Sequence, residues 1–255
     1  MQTESELSAI AERLDQAAID AVAIDQLAEE IDIRTAYEVQ RLSMARRMAR
    51  GERRLGIKMG VTSKAKMAQV GVTEMIWGML TSDMQIANGG KLDMTRFIHP
   101  RAEPEIAFLI GKPLSGEVSE EEAAAAIKGV ASAIEVIDSR FRNFKFRITD
   151  VIADNSSSSA FVVGPWHAPD TDVGDLKMTL EFDGQVVGSG STEAILGHPL
   201  RSLAEASAIL ARYGDGLKPG DILLSGSATA AEPLRPGAKV QVRVNGLDGC
   251  GFEVA

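Results

Sequence analysis

The chain carries a single cysteine, Cys250, so no disulfide can form within it. That fits a reducing compartment. Cys250 stands between Gly249 and Gly251 with no histidine nearby in sequence, so it reads as structural rather than as a nucleophile. Basic charge is also short: Lys+Arg number 27 against 36 Asp+Glu, a formal net charge of -9. Phosphate backbones need a basic face, so the balance argues against a nucleic-acid partner. It leaves an acidic small molecule open, because a bound cation and a few placed basic groups can reverse the field inside a cleft. No apolar run approaches the ~18–20 residues that span a bilayer, so no membrane role is expected. The first residues, MQTESELSAIAERL, lack a basic stretch followed by an apolar one and do not read as a signal peptide; a cytoplasmic protein is expected. The phosphate-loop patterns GxxxxGK[ST] and GxGxxG are missing, which argues against a nucleotide cofactor.

What is present begins with helices. Leu7, Ile10, Leu14, Ala17 and Ala18 recur at helical spacing, and a second helix is expected over about Thr35–Arg50. Arg46, Arg47 and Arg50 suit its C-terminal end as a solvated, dipole-favoured cluster, and Gly51 stops it. From residue 55 the texture becomes strand-like. Strands are expected over Leu55–Val61, Ala102–Ile110 and Val130–Asp138, with helices at Lys64–Val70, Glu120–Lys128 and Leu200–Tyr213. Ser119 with Glu122 forms a capping box for the second of these helices. The last third reads as a meander of Met178–Phe182, Asp221–Ser225, Val240–Val244 and Gly251–Val254, with Asp183-Gly184 and Asn245-Gly246 as turns. Helices first and a β-rich body after them make an α+β chain, divided here into a helical segment 1–54 and a β-rich domain 55–255.

The sharpest local pattern is Glu103-Pro104-Glu105. In a strand, residues i and i+2 share a face, so the two carboxylates project together and raise each other's pKa unless a cation neutralises them. Pro104 cannot donate to a ladder, so an edge or a bulge is expected there. An exposed edge with two solvated glutamates is the competing reading. Glu135 lies in the apolar run Ala133–Ile137, where an unpaired carboxylate costs several kcal/mol. Three carboxylates without Cys or His partners suit a hard ion, Mg²⁺ or Mn²⁺ rather than Zn²⁺. Lys58, inside Gly56–Gly60, is a basic group in an apolar strand. It can snorkel at a strand end, or be buried, titrate downward and serve as proton donor or anion clamp. The polar run Ala153–Ser159 is either a surface loop or a row of donors for an anionic substrate. His99, His167 and His198 read as structural or surface residues.

Five segments, in order, carry a wider resemblance: Gly56–Thr62 (GIKMGVT), His99–Phe108 (HPRAEPEIAF), Glu135–Arg140 (EVIDSR), Ala153–Ser157 (ADNSS) and Gly220–Gly226 (GDILLSG). With them the chain resembles the metal-dependent hydratase/decarboxylase group of the fumarylacetoacetate hydrolase superfamily. The resemblance implies a mixed β-sheet roll or barrel-like body. It also implies Glu103, Glu105 and Glu135 as ligands of Mg²⁺ or Mn²⁺, Lys58 as catalytic and Ser157 as a substrate contact. Hydratases of the group carry Asp before an aromatic-Gly pair; here that position is Ile76, in Glu74-Met75-Ile76-Trp77-Gly78. The group's decarboxylases resemble this chain there, and at Ser63–Gly71, Asn143–Phe146, Leu196–Leu200 and Thr229–Ala231. The expected reaction is therefore loss of CO₂ from 2-oxohex-3-enedioate, a small 2-oxo dicarboxylate, with hydration of 2-hydroxypenta-2,4-dienoate as the alternative. Hydration needs a group to activate water, and Ile76 cannot supply one. Lys64, Arg140 and Lys145 are the basic residues in matched segments that could meet the leaving carboxylate. The resemblance further implies a homo-oligomer and association with the hydratase that consumes the product.

Overall fold

The computed structural model describes residues 2–62, 67 and 74–255. Two helices open the chain, α1 (Glu4–Asp20) and α2 (Ile33–Ala49), with non-helical chain between them. Thr3 and Glu6 close a capping box on α1, and Asp32 caps α2 through Thr35 N. The arginines at the end of α2 are more than a solvated cluster. Arg50 grips the buried Asp15 of α1 with two bonds of 2.7 Å, and Arg46 adds a third at 3.0 Å. Removing one partner of such a pair would strand a buried charge, so the contact locks the helices together.

Among the described residues, twelve strands follow. β1 (Arg54–Gly60), β2 (Ile76–Thr81), β4 (Arg101–Ile110), β5 (Ile127–Ile137), β6 (Ser158–Val163), β9 (Ile222–Ser227) and β10 (Glu232–Pro233) form one mixed sheet. Its order is β2-β1-β9-β4-β5-β6, with β10 beside the start of β4. β3 (Lys91–Leu92), β7 (Lys177–Phe182), β8 (Gln185–Ser191), β11 (Lys239–Val244) and β12 (Leu247–Val254) form a second sheet, ordered β3-β12-β11-β7-β8. Among the described residues, three further α-helices join this α+β fold: α3 (Glu120–Ala125), α4 (Ile148–Ala153) and α5 (Pro199–Arg212). None of the described helices is long and apolar enough to cross a membrane.

The strand period decides which side of the first sheet carries function. On β4, Ala102, Ile106, Phe108 and Ile110 enter the main apolar core, which also holds Ile134 and Val136 of β5 and Val240 and Phe252 of the second sheet. Glu103 and Glu105 face the other way. α2 covers β2, where Tyr37 stacks on Trp77 and Gln40 Nε2 donates to Trp77 O and Ile152 O.

Several expectations need correction. Pro104 is not at an edge: β4 lies between β9 and β5. Its missing N–H is tolerated because the ladder changes partner here, from β9 at Glu105 to β10 at Ala102. The bulge half of that expectation holds, as the β4–β9 register shifts between Glu105 and Ala107. The segment Asp221–Ser225 does not join the meander. As β9 it is buried throughout and pairs parallel with β1, while the strand after the Asp183-Gly184 turn is β8. β8 escaped notice because its valines and glycines are largely exposed and show no alternation of burial. α3 ends at Ala125, since Ile127 already starts β5. The helix expected over Lys64–Val70 lies, apart from Met67, outside the described residues.

Candidate metal centre and active site

The antiparallel register of β4 and β5 sets Glu103 directly opposite Glu135, and Glu105 follows on the same face. One carboxylate oxygen from each of the three lies within 4.8 Å of the others. Glu105 and Glu135 are fully buried and Glu103 is half-buried. Like charges across a strand pair destabilise a sheet, so this cluster is sustained by what neutralises it. Lys58 of β1 is one such group, buried, with Nζ 3.0 Å from Glu135 Oε1. β1 and β5 are three strand spacings apart, roughly 14 Å in a flat sheet. The contact therefore requires the sheet to curl, and Lys58 and the carboxylates share its concave face.

Among the described residues, the fully buried Glu105 and Glu135 share the single ammonium of Lys58, so a divalent ion would suit the charge that remains between them. Burial pushes Glu105 well above the usual carboxylate range, and the charges of Glu135 and Glu103 push the same way. Burial also raises Glu135, against the pull of Lys58. For Lys58, burial alone would lower the pKa, but Glu135, Glu103 and Glu105 together outweigh it and hold it above the ordinary lysine value. The expectation that Lys58 titrates downward is thus corrected: the surrounding carboxylates keep it charged. Glu105 Oε2 accepts from Gly226 N at 2.7 Å, while Glu105 Oε1 and Glu135 Oε2 have no hydrogen-bond donor among the described residues. Buried carboxylate oxygens left open toward one another, with no nitrogen or sulfur donor, fit a hard divalent cation.

Gly226 went unremarked in the sequence beyond its place in a matched segment. It sits at φ +106° beside the β4–β9 bulge, a conformation side chains rarely adopt, and a Cβ there would lie 2.1 Å from Thr62 Oγ1. That backbone is what turns its N–H onto Glu105. Ile76 pairs with Gly60, and a Cβ on Gly60 would lie 3.1 Å from Ile76 Cγ1 and 3.7 Å from Lys58 Nζ. The missing side chain leaves space between an apolar wall and the lysine head.

The run after Ala153 is neither a surface loop nor a simple row of donors. Asp154 to Ser158 are all buried, and Asn155, Ser156 and Ser157 hold left-handed backbone at φ 50°, 51° and 60°. Asn155 brackets Met79, accepting from its N at 2.8 Å and donating to its O at 2.9 Å; Ser156 Oγ donates to Trp77 O at 2.7 Å. Gly78 permits this approach, since a Cβ there would lie 2.4 Å from Asn155 O. Asn155 and Ser156 are thus engaged with β2, whereas Ser157 Oγ is buried with no hydrogen-bond partner among the described residues. Arg140 is likewise engaged, bonding to the Asp154 carboxylate, to Asp154 O and to Ser159 Oγ. Lys145 is exposed, and Lys64 lies outside the described residues. His198 Nδ1 accepts from Leu200 N at the start of α5, and His167 Nε2 accepts from Asp248 N, both structural as expected. Cys250 is buried with its thiol pushed up to about 12 by that burial, so it is not a nucleophile.

A curled mixed sheet with a carboxylate triad and a buried lysine on its concave face defines a class. The sequence profile of the Fumarylacetoacetate (FAA) hydrolase C-terminal family matches residues 55–255, and the chain belongs to that family. Within it, the chain is 51% identical over 248 residues to 4-oxalocrotonate decarboxylase of a Pseudomonas species, covering 96% of this chain and 97% of the relative. It superimposes with a TM-score of 0.97 and 36% identity on 4-oxalocrotonate decarboxylase from Pseudomonas putida G7 complexed with magnesium and adipate, covering 100% and 99% of the two chains. A TodF product hydratase of Pseudomonas putida is 36% identical over 232 residues, covering 90% and 87%.

Proposed function

We propose that the chain is a divalent-metal carboxy-lyase of aromatic meta-cleavage catabolism. It converts 2-oxohex-3-enedioate (4-oxalocrotonate) to 2-oxopent-4-enoate and CO₂. The observation that carries this reading is the apolar Ile76 beside Lys58, in a chain 51% identical to a decarboxylase of that substrate. Glu103, Glu105 and Glu135 would hold Mg²⁺ or Mn²⁺, and the magnesium complex of the P. putida G7 decarboxylase supports Mg²⁺. When bound, the ion supplies Lewis acidity to the 2-oxo group and charge balance for the C1 carboxylate.

The chain's own residues divide the remaining work. The C5–C6 bond breaks, CO₂ leaves, and the bonding pair moves through the C3–C4 alkene toward the 2-oxo oxygen. Lys58, with Nζ 3.0 Å from Glu135, orients that end of the substrate and handles the proton at Nζ for the developing enol. The Ser157 hydroxyl, buried and uncommitted, hydrogen-bonds the substrate. Ile76 excludes water from the reacting carbons, where a carboxylate would activate it.

The test is direct. The pure protein with Mg²⁺ and 2-oxohex-3-enedioate should release CO₂, and with 2-hydroxypenta-2,4-dienoate it should leave the diene absorbance nearly unchanged. Rapid diene loss without CO₂ would make it a hydratase, the second reading, which the 36% identical hydratase keeps in view. We also propose that residues 1–54 form an appended helical unit on the catalytic body 55–255. The protein is proposed to be a cytoplasmic homo-oligomer that docks with the hydratase consuming its product. Light scattering alone and with that hydratase tests the assembly.

A further inference from the structure

The reading above calls for a substrate with two carboxylates, and the carboxylate triad accounts for one end of it. Of the basic residues that sequence suggested for the other end, Arg140 is engaged with Asp154, Lys145 is exposed, and Lys64 lies outside the described residues. Arg101 is differently placed. Strand alternation puts it on the face of β4 that carries Glu103 and Glu105, two residues before Glu103 and opposite Ile137. It is half-buried, and among the described residues it forms no ion pair. Its guanidinium lies over the Phe144 ring, 4.5 Å from the centroid, a cation–π placement, and it makes no side-chain hydrogen bond among the described residues.

The platform under it is built rather than incidental. Asn143 and Phe144 both hold left-handed backbone, at φ 59° and 53°, which residues with side chains adopt when their surroundings impose it. Phe144 N donates to Phe141 O at 3.2 Å and Lys145 N to Arg142 O at 3.1 Å, closing the turn that presents the ring. The His99 ring packs on the same Phe144, centroids 4.5 Å apart, and its Nε2 is buried with no hydrogen-bond partner among the described residues. Asp138 fixes the backbone on this side by accepting from Ile98 N and His99 N at 2.8 Å each. An uncommitted guanidinium and an uncommitted imidazole nitrogen thus flank one aromatic ring, at the end of β4 beyond the carboxylates. Two residues of strand set the Arg101 and Glu103 backbones about 6–7 Å apart, so their side chains rise from neighbouring points on one face.

We propose that Arg101, seated on Phe144 and supported by His99, is a specificity-determining residue that receives the distal carboxylate of a 2-oxo dicarboxylate. The inference rests on the decarboxylase reading for its substrate class, but binding alone tests it. With Mg²⁺ present, Kd is measured by calorimetry for 2-oxoadipate and for 2-oxohexanoate, which has the same length and lacks the second carboxylate. Arg101→Met should weaken the diacid on the order of 10- to 100-fold, the loss of a charge-assisted bond. It should leave 2-oxohexanoate and Mg²⁺ affinity unchanged. Arg101→Lys keeps the charge but not the fork, so it should weaken the diacid less. It also serves as the sole probe if the methionine variant does not fold.

Equal weakening of both ligands, or an unchanged diacid Kd in whichever variant folds, overturns the proposal. The two readings can fail separately. A wild type that releases no CO₂, with discrimination still lost on substituting Arg101, removes the reaction but not the diacid site. A wild type that decarboxylates, with discrimination retained in the variants, removes Arg101 alone.

Discussion

On β4, Ala102, Ile106 and Phe108 are fully buried in the apolar core, while Glu103 and Glu105, one residue out of phase, look into the concave face with Lys58 and Glu135. The same ten-residue strand supplies both environments, and the pleat keeps them apart. One face stabilises the fold by excluding water from hydrocarbon. The other gathers like charges that a folded chain alone would keep apart. The site draws on stability generated by its own reverse side, and substitutions on the two faces should separate cleanly.

The largest effect is expected from Glu105→Gln. It should remove most Mg²⁺ affinity and lower turnover by at least about 1000-fold, since it deletes a charged ligand rather than a supporting contact, whose loss costs ~10–100-fold. Unfolding of the metal-free variant should be no easier than that of the wild type, because a buried charge has been removed. Wild-type turnover by this variant in metal-stripped buffer would sink the ligand assignment. Lys58→Ala comes next, with kcat reduced by about 10²–10⁴, the range for a lost proton-handling group, and Mg²⁺ binding retained by calorimetry. An unchanged kcat would take Lys58 out of the mechanism.

Phe108→Ala tests the opposite face. A cost of ~3–5 kcal/mol in chemical denaturation is expected for a fully buried aromatic, with the Kd for Mg²⁺ unaltered in the fraction that stays folded. A parallel collapse of metal affinity would show that the two faces are coupled. The smallest effect is thermal. Mg²⁺ at 100 times its Kd should stabilise the wild type by about 2.7 kcal/mol, a Tm rise of roughly 5–10 °C for a chain of this size. EDTA should reverse it, and Glu105→Gln should show almost none. An equal rise in that variant would point to a different binding site.

Much of this comparison was legible before any coordinates. The i, i+2 spacing of Glu103 and Glu105 fixed their shared face, and the apolar frame of Glu135 and Lys58 demanded partners for both. What spacing could not reveal was register. That Glu135 stands opposite Glu103, and that Lys58 reaches across two intervening strands, follows from sheet order and curl. The direction of the Lys58 shift is hidden from sequence for the same reason: it depends on three carboxylates whose distance no local window contains. For Pro104 the sequence offers an edge or a bulge, and the bulge holds; the edge does not, because a missing donor matters only where a partner strand waits to receive it, and here the partner changes at that residue. Arg101 stands two residues before the acidic pair and nothing in its local sequence marks it. Its interest comes from Phe144, 43 positions later, and from the engagement of Arg140 elsewhere.

Gly226 has a consequence for how this centre can change over evolutionary time. The group that pins one oxygen of Glu105 is a main-chain amide, so no codon specifies it as a side chain, no pH discharges it, and no oxidant alters it. The glycine itself is confined by the Thr62 side chain at the position its own Cβ would occupy. Affinity at such a centre drifts little through single substitutions around Glu105. New reactions on this scaffold are more accessible at the opposite wall, where Gly60 leaves room and Ile76 can be exchanged without disturbing the amide.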